Sequence, residues 1–209
     1  MLRLLYRALI LSGVLSAFAL SSHADVVFQL GNNPQSDEQN ILFTIDQTGT
    51  TIYGTTNITG TLVTFMSTEE ITALANGQAV ITATDGLIND LMISLSTGST
   101  FLDLIINPLT PTGNPTGPFD LTVNVTTNDG VFSFTYPSGL GNGENFLTMY
   151  TTNNELISSV SLTSTSGFDS LKQPRISGVS TAQVPEPAAL FLMGGALLGF
   201  GRLVRKSKR

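Results

Sequence analysis

The sequence predicts an all-β fold: a single antiparallel β-sandwich, with jelly-roll topology as one form it can take, flanked by an N-terminal signal peptide and a C-terminal transmembrane helix. Three observations predict it. About eleven short apolar runs recur at spacings of about ten residues, with Gly, Asn, Asp or Pro between them. Within the runs Thr alternates with Ile, Leu, Val or Phe, as from Asn57 to Met66, and a β-branched polar residue keeps the backbone extended while facing water. The long apolar stretches are confined to the two ends of the chain.

Residues 1–24 read as a signal peptide. Arg3 and Arg7 give the charged start, Ala8 to Leu20 the apolar middle, and Ser22-His23-Ala24 the small residues that place signal-peptidase cleavage between Ala24 and Asp25. An uncleaved N-terminal anchor is the competing reading.

Residues 25–183 are the expected ectodomain. Val26 to Leu30 is a first strand, Gly31 to Asn40 a polar loop, and Ile41 to Asp46 a second strand that turns at Gln47-Thr48-Gly49 into Thr50 to Tyr53. Asn57 to Met66 is the Thr-rich alternating run. Ser67 to Gly77 is the best helix candidate, with Ser67 and Glu70 as a capping box and Gly77 as a C-cap; a turn with a kinked strand competes. Ala79 to Thr84 and Leu87 to Leu95 flank Asp85-Gly86, a two-residue hairpin turn. Phe101 to Asn107 is a strand.

Pro108, Pro111, Pro115 and Pro118, with Gly113 and Gly117, make a loop, either a crossover between sheets or a linker. One domain is the better account, since neither half alone offers enough strands for a core. Phe119 to Thr126 and Val131 to Tyr136 pair across Asn128-Asp129-Gly130. After a Gly-rich loop from Gly139 to Gly143, Asn145 to Tyr150, Glu155 to Thr163 and Ser170 to Ser177 complete the series, with a turn at Asn153-Asn154.

Charge is segregated. Seven of the nine basic residues lie at the two ends, and between Asp25 and Val184 only Lys172 and Arg175 stand against fourteen acids, a charge of −12. Such a surface repels phosphate backbones and excludes nucleic acid as a partner. The absence of Cys, and a lone His23 inside the signal peptide, exclude thiol and Ser-His-Asp chemistry and the usual zinc sites from the ectodomain. A hydrolase would have to use carboxylates, such as Asp85 with Asp90, Glu69 with Glu70, or Glu144. Each has a plain alternative as a solvated loop or strand-edge acid, and no catalytic residue is assigned.

No cofactor is assigned either. Structural calcium is the one ion considered, at Asp37-Glu38, Asn128-Asp129-Gly130 or Asn142-Gly143-Glu144, although Asn, Asp and Gly are also what turns require. The metal ligands stay unknown. For carbohydrate binding the aromatic platforms would be Tyr53, Tyr136 and Tyr150, since Trp is absent. Asn57-Ile58-Thr59 and Asn124-Val125-Thr126 match the glycosylation acceptor pattern.

Residues 184–209 have three parts. Val184-Pro185-Glu186-Pro187 is held extended by its prolines. Residues 188–204 are apolar and small, with Arg202 snorkelling, and are about long enough for a short transmembrane helix. Arg202, Arg205, Lys206, Lys208 and Arg209 form a cytoplasmic basic anchor. This end resembles the PEP-CTERM sorting signal of Gram-negative bacteria, which a membrane-embedded exosortase recognises. The resemblance implies cleavage near Pro-Glu-Pro, membrane contact before processing, and delivery to the cell surface or exterior. The signal gives an address, not an activity; with the segregated charge and the two terminal apolar segments, the expected role is a non-catalytic one in the extracellular polymer layer, structural or in association with exopolysaccharide. A carbohydrate-binding module is the alternative, and a glycan hydrolase a more distant one. An ordinary membrane anchor is the competing reading of the tail.

A second resemblance covers about residues 143–178. Gly143-Glu144-Asn145-Phe146, Leu156 to Leu162, Gly167-Phe168-Asp169 and Gln173-Pro174-Arg175-Ile176-Ser177-Gly178 are similar to the closing strands of an all-β ectodomain recurrent among PEP-CTERM proteins. Pro174 departs from that pattern and predicts an edge strand or a strand start there.

Overall fold

A computed structural model describes residues 25–180, except 76, 97, 112–119, 142 and 154. The described residues form thirteen strands and no helix. In chain order β1 is Val26–Leu30, β2 Gln39–Phe43, β3 Gln47–Thr56, β4 Leu62–Ala73, β5 Gly77–Gln78, β6 Val80–Ala83 and β7 Ile88–Leu95. β8 is Asp103–Leu109, β9 Thr122–Thr127, β10 Val131–Thr135, β11 Leu147–Thr151, β12 Ile157–Phe168 and β13 Ser170–Ser177. The all-β expectation holds.

The strands join antiparallel into one sheet, ordered β1-β11-β8-β13-β2-β3-β4-β7-β12-β9-β10, with β5 on β2. β6 pairs with both β13 and β4, so β13, β2, β3, β4 and β6 close into a barrel-like ring. The two ends of the path also meet. Phe28 of β1 stacks on Phe134 of β10 at 5.4 Å, and Phe134 meets Tyr136 edge-on at 5.4 Å. A long twisted sheet covers its apolar face by curling until its ends touch. Strands before and after residues 112–119 interleave, since β8 lies between β11 and β13.

Alternation builds the core. Val63, Phe65, Ile71 and Ala73 of β4 are fully buried, as are Val123 and Val125 of β9 and Val160 and Leu162 of β12. Their neighbours along each strand point outward. Across β3, β4, β7, β12, β9 and β10 the register sets these outward residues in transverse rows. One row is Thr51, Met66, Met92, Ser161, Asn124 and Ser133. The next is Tyr53, Thr64, Ser94, Ser159, Thr126 and Val131.

Three expectations are corrected. Ser67 to Ala73, expected as a helix, continues β4, and Gly77 opens β5 rather than capping a helix. The apolar positions Val63, Phe65, Ile71 and Ala73 keep one parity over the strand, and burying that face outweighs a short capped turn. The competing kinked strand is what forms: the β3–β4 register shifts between Gly49 and Thr51.

Asp85-Gly86 does not close a hairpin, because β6 and β7 do not pair with each other. Both lie along β4, β6 beside Ile71–Ala73 and β7 beside Val63–Met66, so the dipeptide is a break between two collinear strands. Pro174 is not at an edge either, since β13 lies between β8 and β2. Its ladder with β8 skips from Lys172 to Arg175, and Gln173 adopts φ 50°, so the proline sits in a bulge that asks for no N–H. The Asn128-Asp129-Gly130 hairpin forms as expected, with Val131 opposite Thr126.

Candidate functional site

Of the acids that a hydrolase would need, Asp90 and Glu69 are engaged with backbone amides. β4 leaves β7 after Met66 and takes up β6 at Ile71. At that handover the Thr68 amide donates to both carboxylate oxygens of Asp90 (3.2 and 3.1 Å), and the Thr68 hydroxyl also donates to Asp90. The Asn89 amide donates to Glu69 at 2.6 Å. Glu70 is exposed, and Asp85 only receives a long contact from the Leu87 amide at 3.5 Å.

The loops expected to offer calcium ligands are occupied in the same way. Asn128 Oδ1 accepts from the Leu156 amide at 3.0 Å, and its Nδ2 donates to Asp129 at 3.1 Å. Asp37 takes φ 62° in its turn, and Glu38 pairs with Arg175 at 2.9 Å. Among the described residues no group of three or more acids, His or Cys gathers to hold a metal; Asn142 lies outside them.

A different cluster emerges where β8 buries both faces. Leu104 and Ile106 enter the core, and Asp103, Ile105 and Asn107 point the opposite way yet are also buried. The loop from Gly31 to Glu38 covers that second face. The Gly31 amide donates to the Phe146 carbonyl at 2.7 Å, and the Thr148 hydroxyl donates to the Gly31 carbonyl at 2.9 Å. The Asn33 amide returns to Thr148 Oγ1 at 3.0 Å. Arg175 of β13 donates to Asn32, pairs with Glu38 and lies 5.8 Å above the Phe146 ring.

Asp103 stands opposite Ser177 in this layer, with neither carboxylate oxygen in good hydrogen-bond geometry. Burial pushes its pKa up to about 6; Glu38 adds to the rise, and Ser177 and Arg175 temper it.

Above the cluster opens a cleft of about 450 Å³, bounded by Asn32, Tyr136, Gly139, Glu144, Asn145 and Phe146 among others. Asn145 fastens its wall. Its amide donates to Asn107 Oδ1 at 2.8 Å, its Nδ2 to the carbonyls of Pro108, Gly141 and Gly143, and its Oδ1 accepts from the Gly141 amide at 2.6 Å. Tyr136 donates its hydroxyl to the Asn145 carbonyl at 3.0 Å, and burial pushes its phenol well above the ordinary range. Tyr150 is half-buried, and of the three expected platforms only Tyr53 is exposed, on another part of the sheet.

The structure thus gathers Asn145, Phe146, Arg175 and Ser177, all carried by the two short motifs near the end of the β domain. Asp103 and Glu38 were missed as a pair. Asp103 is one acid in the apolar run Phe101 to Ile106, a signal of a buried charge that the sequence does offer.

Asp25, on one side of the expected signal-peptidase bond, exchanges hydrogen bonds with Thr152: its carbonyl accepts from the Thr152 amide at 3.0 Å. Ala24, the Val184 to Pro187 motif, the helix expected at 188–204 and the basic anchor lie outside the described residues. No helix among the described residues is long and apolar enough to cross a membrane.

The PEP-CTERM protein-sorting motif is found at residues 183–206. The comparison with curated proteins finds no match. Among solved structures, a mutant of a family 29 carbohydrate-binding module, studied for its mechanism of ligand recognition, is similar at 11% identity and TM-score 0.21, over 77% of this chain and 94% of that one. A likeness of that degree carries no argument about this chain.

Proposed function

We propose that this protein is an exosortase-processed surface or matrix protein whose β-sandwich ectodomain associates with extracellular polysaccharide without catalysis. The observation that carries the proposal is the PEP-CTERM motif at residues 183–206, set behind an acidic all-β domain. In this reading signal peptidase removes residues 1–24, the helix at 188–204 and the anchor from Arg202 to Arg209 hold the chain briefly, and exosortase cuts near Pro185-Glu186-Pro187. Phe28 on Phe134 supports a sandwich in which the two ends of one continuous sheet face each other. The non-catalytic part is supported by Asp90 and Glu69 being engaged with backbone amides, and by the absence of His and Cys from residues 25–209.

The test is to fractionate the producing cells before and after enzymatic removal of their exopolysaccharide, and to assay the purified protein for release of reducing ends. The protein is expected to leave the cells with the polymer and to release no sugar. Hydrolysis abolished by Glu144→Gln would replace this reading with the glycan hydrolase.

A further inference from the structure

We propose that the outer face of β3, β4, β7, β12, β9 and β10 is a docking platform for an uncharged polysaccharide chain, with Tyr53 as its stacking residue. This inference rests on the polysaccharide reading above and names a surface for it that is separate from the cleft.

The ectodomain carries fourteen acids and two bases, yet the two transverse rows across six strands contain no charged side chain. Two acids flank the rows: Asp90, two residues before Met92 on β7, whose carboxylate is held by Thr68, and Asp129, two residues before Val131 in the exposed hairpin turn. An acidic domain that keeps so broad a face neutral offers no match to a charged polymer, and it does not repel a neutral one. Adjacent strands lie about 4.8 Å apart, so six of them span about 24 Å, enough for several sugar units in an extended chain.

The chemistry of the rows agrees. They carry seven hydroxyls of Ser and Thr and one amide beside two thioethers, a phenol and a valine. Side-chain hydrogen bonds within them are sparse: Ser133 donates to Asn124 at 2.6 Å, while Thr64, Ser94, Ser159 and Ser161 have no side-chain partner among the described residues. These hydroxyls are therefore available to a polyhydroxylated ligand.

Most of the exposed apolar surface lies at the β3–β4 end, with Val131 alone at the β10 end. Tyr53 is 48% exposed, opposite Thr64, and its diagonal neighbours on β4 are Leu62 and Met66, each 41% exposed. That strip is what the apolar face of a sugar ring can cover. The backbone under Tyr53 is held firmly: the Gln47 side chain accepts from its amide at 2.9 Å and donates to its carbonyl at 2.7 Å.

The experiment is affinity electrophoresis of the mature protein, purified from its producing cells, in native gels. The gels contain the neutral exopolysaccharide of those cells, hydroxyethyl cellulose, or alginate as a charged comparison. Neutral polymer is expected to retard the protein, and alginate is not. Tyr53→Ala and Ser161→Lys should each weaken retardation at least tenfold, and Glu144→Gln in the cleft should leave it within twofold. Both face positions are on the surface, and an unchanged thermal melt for either one keeps the comparison interpretable. Full retardation of both face variants, with loss in Glu144→Gln, would overturn the platform and keep the polysaccharide reading. Absence of retardation of the unmodified protein by every polymer would overturn the polysaccharide reading itself.

Discussion

Asp103 is the residue whose titration should govern the stability of this domain near neutral pH. Its carboxyl has a folded-state pKa of about 6, above the value of about 4 in an unfolded chain. The folded state therefore holds the proton more tightly. That contribution is complete below about pH 4 and is lost as pH rises through about 6. Asp103→Asn, neutral throughout, should be more stable than the parent at pH 8, by a margin on the order of 2–3 kcal/mol that closes towards pH 4. Thermal melts of both proteins across that range check it, and a pH-independent gap would contradict it. Arg175 acts in the opposite sense. Arg175→Ala strands Glu38 beside Asp103 under the loop from Gly31 to Glu38 and should cost about 3 kcal/mol, measured by urea unfolding. Gly178, two residues beyond Ile176, has φ +61°, and a Cβ there would lie 2.6 Å from the Leu102 Cβ, which explains why the Gln-Pro-Arg-Ile-Ser run ends in glycine.

Among the elements, β4 shows how a strand changes partners without orphaning its amides. Asp90→Ala removes the acceptor for Thr68 and should cost about 1 kcal/mol, with faster hydrogen exchange at the Thr68 amide than at Phe65. Unchanged exchange there would show that water replaces the carboxylate at no cost. Much of the element pattern was legible in the sequence. Val26 to Leu30 and Ser170 to Ser177 emerge with the bounds that alternation predicts, and Asn128-Asp129-Gly130 closes its hairpin. What misled was local chemistry that long-range pairing outweighs. Ser67 with Glu70 looks like a capping box only if Ile71 and Ala73 are not needed in a sheet core. Asp85-Gly86 suits a two-residue hairpin, but β4 is long enough to hold β6 and β7 end to end. Pro174 marks an edge by rule, and the bulge at Gln173 is a tertiary fact that no local pattern carries. The candidate site was legible in part for the same reason. Its motifs are short and visible, while the meeting of Glu38, Asp103 and Arg175 depends on a loop folding back over strands distant in sequence.

On the scale of the whole molecule, two segregations organise the protein. Basic residues stand at the ends and acids in the middle, which suits a chain whose termini face the cytoplasm while its centre is delivered outside. Within the ectodomain, the charged and buried cluster under the loop from Gly31 to Glu38 is set apart from a broad neutral face. A domain without disulfides depends on closure of its single sheet for stability, through β6 bridging β13 and β4 and through Phe28 against Phe134. Above all, we propose that this domain is made to be detached from its address signal. Intact-mass and terminal-peptide analysis of the protein, taken fraction by fraction from its producing cells, tests that claim most directly. The expected chain begins at Asp25, ends between Val184 and Pro187, and is missing from the inner membrane. A chain that still carries Phe191 to Arg209 at steady state would contradict it and make the tail a permanent anchor.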